Sequence, residues 1–143
     1  MYLTINMMRK LLLNGFSFKE FEHCCNIGMT FFYDNAEYTI GGHCNDSHQY
    51  SRLDRIVASE GIWLPNEGDL MRWLQLTDHS VEITYSETDN YFHSKAINQK
   101  GDVFEGGGAD LLMALYKLVF KICKKSGGKI VPRDILILDV ENE

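Results

Sequence analysis

The 143-residue sequence has no apolar run approaching the ~18–20 residues needed to cross a bilayer, and its opening, MYLTINMMRKLLLNGF, is too short in apolar residues for a secretory signal. A cytoplasmic protein with no membrane partner is expected. Basic charge is in deficit as well, with 14 lysines and arginines against 20 aspartates and glutamates and a formal net charge of −6. Nonspecific nucleic-acid binding requires a basic surface, so direct contact with DNA or RNA is not expected. An acidic surface suits a basic partner, or serves solubility alone. The four cysteines, at 24, 25, 44 and 123, make no disulfide framework: two are adjacent and the last falls in an apolar helical segment. Reduced thiols are expected. Internal repeats and low-complexity stretches are also missing, and no pair of carboxylates stands out for acid–base work.

What the chain does have is one long amphipathic segment, ADLLMALYKLVFKICKK at Ala109–Lys125. Leu111, Leu115, Leu118 and Ile122 recur at helical steps, and Leu112, Val119 and Cys123 widen the stripe. A stripe this wide has to be buried, most simply against a sheet. Lys117, Lys121, Lys124 and Lys125 fall on the outer side and read as a solvated face. The run Gly106-Gly107-Gly108 before the helix lacks the lysine and the serine or threonine of a P-loop, and reads as a flexible connector.

Sheet strands are legible on either side of the chain's middle. MTFFYDNAEYTIGG reads as two short strands turned at Asp34-Asn35-Ala36. Val81, Ile83 and Tyr85 alternate with Glu82, Thr84 and Ser86, and Tyr91–Asn98 follows as a partner, with a short strand through Val103 and Phe104. Helices are expected over Ile5–Leu13, from a capping box at Ser17–Glu20, around Leu53–Val57, and after Pro65 in IWLPNEGDLMRWLQL. Pro65 suits a first turn, and Trp63 is placed to pack back on it as a staple does. The fold class expected is α+β, a two-layer α/β sandwich with small antiparallel sheets against the long C-terminal helix. One domain spans 1–143, with a helix–hairpin unit at 1–42 and an α-β-β-(β)-α unit with a C-terminal strand at 51–143. The polar loop Gly41–Tyr50 lies between them.

Three candidate sites follow from residue chemistry. His23, Cys24, Cys25, His43, Cys44 and His48 collect imidazoles and thiols of the kind that bind zinc or form a Cys–His nucleophile pair, without the regular spacing of a zinc finger. A metal module or small hydrolase would be built there; otherwise neither cofactor nor catalytic residue is expected. The acidic tail residues Asp134, Asp139 and Glu141 are candidates for contact with a protein partner. Between them the apolar run Ile135–Leu138 reads as a last buried strand, or as the seam of a homodimer.

Ile62–Lys125, with IWLPNEGDLMRWL, the meander and GGGADLLMALYKLVFKI, resembles small uncharacterised proteins of bacterial phages and prophages. In these a W-L-P helix start, a short antiparallel sheet and a terminal A-L-x-K-L helix recur. The resemblance implies a mobile-element protein, for which blocking a host defence system or another host protein by binding is a common role; the expectation is a noncatalytic inhibitor of a host defence protein or nuclease, with a toxin-neutralising immunity protein as an alternative that differs only in partner. It brings no catalytic residues with it.

Overall fold

A computed structural model describes residues 1–18, 26–41 and 52–127. In chain order the elements are α1 (Ile5–Leu13), β1 (Thr30–Tyr33), β2 (Ala36–Thr39), α2 (Arg52–Glu60), β3 (Ile62–Leu64), α3 (Glu67–Leu76), β4 (Ser80–Ser86), β5 (Tyr91–Ile97), β6 (Val103–Gly108) and α4 (Leu111–Ser126). The architecture is α+β, with two three-stranded antiparallel sheets of order β2-β1-β3 and β4-β5-β6.

The second sheet and α4 form the layer pair that the apolar stripe demands. Leu112, Leu115, Leu118, Val119, Ile122 and Cys123 are all buried, and the helix also packs against α3 and α1. That double contact explains why its apolar face is so wide. Asp110 sits before the first turn and accepts the Met113 N–H at 2.8 Å, while Gly127 closes the helix in the left-handed conformation at φ 62°.

The triple glycine is not a connector. Gly106, Gly107 and Gly108 are the second half of β6, paired with Ser94, His93 and Phe92 of β5. They stand where the helix and its strand come closest. A Cβ on Gly108 would lie 2.6 Å from the Met113 side chain, and one on Gly106 would lie 3.1 Å from both the Ala114 carbonyl and Lys117 Cβ. Glycine is what permits this approach. The buried Ser94 hydroxyl donates to the same Ala114 carbonyl at 2.9 Å, fixing α4 across the sheet.

The sequence presents Ile62–Leu64 as the lead-in to a helix. It is the edge strand β3, antiparallel to β1 with Phe31 opposite Trp63. Pro65 therefore precedes the cap of α3 and is not in its first turn. Asn66 and Asp69 make a reciprocal capping box, each side chain accepting the other's backbone N–H at 2.9 Å. Trp63 meets Phe18 edge-on, with ring centroids 5.8 Å apart.

The turn expected at Asp34-Asn35 is present, and it and the turn between β5 and β6 each have a physical reason. Asp34 and Asn35 both have positive φ, the requirement of a tight two-residue hairpin. Asn98 Oδ1 accepts the N–H groups of Lys100 and Asp102, and Gly101 takes φ +88° to complete the turn into β6. The helix expected from Ser17 and the strand at Ile135–Leu138 lie outside the described residues.

Candidate functional site

Alternation along β4, β5 and β6 sends one set of side chains toward α4 and the other to the opposite face. On that opposite face the register stacks side chains in rungs. Glu82 stands across from Lys95, and Lys95 across from Glu105. Thr84 faces His93, which faces Gly107, and Ser86 faces Tyr91. The Glu–Lys–Glu rung is a charge-complementary arrangement of the kind that stabilises neighbouring strands.

This face opens into a groove of about 640 Å³ that runs over Gly106 and Gly107 to the flank of α4, where Lys117 and Lys121 line it. The glycines make the groove, because β6 there has no side chains to fill it. The Tyr91 ring lies over Gly107, where an added Cβ would come within 2.5 Å of it, and the Tyr91 and His93 rings meet at 5.1 Å, edge to face. Three ammonium groups, two carboxylates, an imidazole, a phenol and the Thr84 hydroxyl thus converge on one open surface. Such a surface offers hydrogen-bond donors, acceptors and charges of both signs.

The lysine stripe is only partly the solvated face expected of it. Lys117 walls the groove, Lys121 Nζ donates to the Glu105 carbonyl, and Lys125 pairs with Asp102 at 3.3 Å while its ammonium lies 5.4 Å from the Phe104 ring centre. Asn98 and Lys125 together hold the Asp102 carboxyl below its usual range.

A second cleft, about 500 Å³, lies between the α3–β4 joint and the end of α4 and is lined by His79, Asn98, Asp102, Phe104 and Lys125. His79 is only 6% exposed. Its Nδ1 lies 2.9 Å from Thr77 Oγ1, and that hydroxyl also reaches the Trp73 and Leu74 carbonyls at 2.8 and 3.1 Å. With the hydroxyl hydrogen spent on the helix end, Nδ1 carries the proton and Nε2 is a bare acceptor. Among the described residues Nε2 has no partner. A buried unmet acceptor costs about 1–3 kcal/mol. Although a threonine beside a histidine resembles a nucleophile with its base, here the hydroxyl ends a helix and the imidazole is sealed. Burial lowers the His79 pKa below 6.5, against the opposing effects of nearby carbonyls and of Asp78.

The residues singled out by sequence chemistry, His23, Cys24, Cys25, His43, Cys44, His48, Asp134, Asp139 and Glu141, all lie outside the described residues. Among the described residues no group of three or more histidine, cysteine or acidic side chains is placed to hold a metal. Cys123 is a free, buried thiol whose pKa burial pushes up to about 12. No helix of the described residues is long and apolar enough to cross a membrane. Sequence reasoning missed the groove because Glu82, His93 and Lys95 look isolated in the chain. The signal that was present is the triple glycine, which removes side chains from one end of a strand. Neither a family model, nor a curated protein, nor a solved structure matches the chain.

Proposed function

We propose that the chain is a noncatalytic protein-binding module, and that it engages its partner through the groove over Gly106 and Gly107 and the adjoining face of the β4-β5-β6 sheet. The observation that carries this reading is the convergence of Lys95, Lys117, Lys121, Glu82, Glu105 and the Tyr91–His93 ring pair on one open surface. An open, amphoteric surface with aromatic edges fits a macromolecular partner better than an enclosed small molecule. The resemblance of Ile62–Lys125 to phage and prophage proteins supports an inhibitor of a host defence protein or nuclease; an immunity protein would differ only in partner. The chain's net charge of −6 favours approach of a basic partner at long range, while the three lysines and two glutamates of the groove call for groups of both signs at the contact itself.

Affinity capture from a bacterial lysate, followed by mass spectrometry and titration with the purified partner, tests the reading. The double variant His93→Ala, Lys95→Glu should bind the captured partner at least about tenfold more weakly, the loss expected when a central contact is removed. Equal binding by the variant would remove this face from the interface.

A further inference from the structure

The sheet β4-β5-β6 has two edges, and they are treated differently. At β6, α4 lies along the strand and Lys121 donates to the edge carbonyl of Glu105, and lysine is a residue with which sheets blunt an edge. At β4, among the described residues, nothing comparable lies along the strand, and the helix in contact with it is α3, which leads into it. The strand reads SVEITYS, with no lysine, arginine, proline or glycine, and it pairs with β5 in unbroken register from Ser80 to Ser86. No residue of β4 is buried, and Tyr85 is 47% exposed. Its helix-side row of Val81, Ile83 and Tyr85 is nevertheless patterned as a covered one.

The strand is also close to self-complementary. A second copy running antiparallel along this edge, with the two-fold axis at Ile83, sets Val81 opposite the partner's Tyr85, Glu82 opposite the partner's Thr84 and Ser80 opposite the partner's Ser86. Apolar thus meets apolar, and the one charge on β4 meets a hydroxyl. An axis at Glu82 would stack two carboxylates, and one at Thr84 would set Val81 opposite the partner's Glu87. Only the axis at Ile83 uses the whole strand without a conflict.

We propose that the chain self-associates through β4, joining two three-stranded sheets about a two-fold axis at Ile83 into one continuous antiparallel sheet. The axis stands perpendicular to the sheet, so both α4 helices lie on the same face. The half-covered rows of Val81, Ile83 and Tyr85 then meet between them. The part of the groove over Gly106 and Gly107 lies at the far edge of each copy and stays open, while its Glu82 and Thr84 margin borders the seam; self-association is read without any partner, so this inference does not depend on the protein-binding reading.

Analytical ultracentrifugation of the full chain over a range of concentrations tests the proposal through its register. A reversible dimer is expected. Thr84→Glu puts a carboxylate opposite the partner's Glu82 twice per dimer and should weaken association about tenfold, whereas Thr84→Lys puts an ammonium there and should tighten it. Both substitutions are on an exposed position, and amide spectra of the wild-type chain give a readout that needs no variant. The outward-facing amides of β4 should gain protection from hydrogen exchange as concentration rises. A monomer at all concentrations, equal effects of the two Thr84 variants, or β4 amides already protected in a monomer because another part of the chain covers them would each overturn the proposal.

Discussion

At the scale of single residues, His79 carries the clearest physical consequence. Its imidazole is buried with one nitrogen bound and the other unmet, so the folded protein favours the neutral ring. In the unfolded chain the same ring titrates near 6.5, and the folded value lies below it. The unfolded state therefore binds more protons in that interval, and stability rises with pH across it. The contribution is complete above about pH 6.5 and is lost as the pH falls below that toward the folded value. Urea midpoints measured between about pH 5 and pH 7.5 should show this slope, and His79→Phe should flatten it. An unchanged slope in the variant would assign the pH dependence to other groups.

Among the elements, α4 and β6 act as one unit. Leu118 is fully buried at the centre of the helix, and Leu118→Asp places an unpaired charge there. Such a substitution exceeds what a domain of this size can absorb, so loss of the cooperative thermal transition is expected. A soluble variant melting cooperatively near the wild-type temperature would show that α4 is not central. Gly108→Val probes the other half of the unit. Its Cβ would stand 2.6 Å from Met113, so β6 and α4 must separate, at about 1–3 kcal/mol by the usual cost of overpacking. Were the glycines a mere connector, the same substitution would cost almost nothing. Chemical denaturation separates the two outcomes.

For the whole molecule, the two faces of the second sheet have different tasks. One face holds α4 and, through it, α1 and α3, so that α4 ties the apolar interiors of both halves of the chain into one core. The other face carries no described helix and displays the rungs of charge and the aromatic pair. The face proposed for a partner protein and the β4 edge proposed for a second copy adjoin at Glu82 and Thr84, which line the groove, and are otherwise built from different residues. Tyr85 lies on the helix side of β4 and outside the groove, so binding of the captured partner should persist in Tyr85→Glu, although this variant sets a carboxylate opposite Val81 of the second copy and weakens self-association. Titration of both species with the partner checks that independence.

The sequence by itself determined the elements whose cause is local. The helical period of Leu111–Ile122 marked α4, alternation from Val81 to Tyr85 marked β4, and Asp34-Asn35 marked the first hairpin, because period and turn chemistry act over a few residues. It also set the α+β class, since a wide apolar stripe preceded by alternating segments has few ways to be covered. What only the tertiary structure decided is where those elements meet. Ile62–Leu64 is a strand because β1, far away in the chain, offers it an edge, and no local pattern records that offer. Gly106–Gly108 is a strand because a helix must approach it closely, a demand that exists only once α4 has folded back. The groove arises in the same way: Glu82, Lys95, Glu105 and Lys117 are distant in sequence, and strand register together with the seating of α4 brings them to one surface.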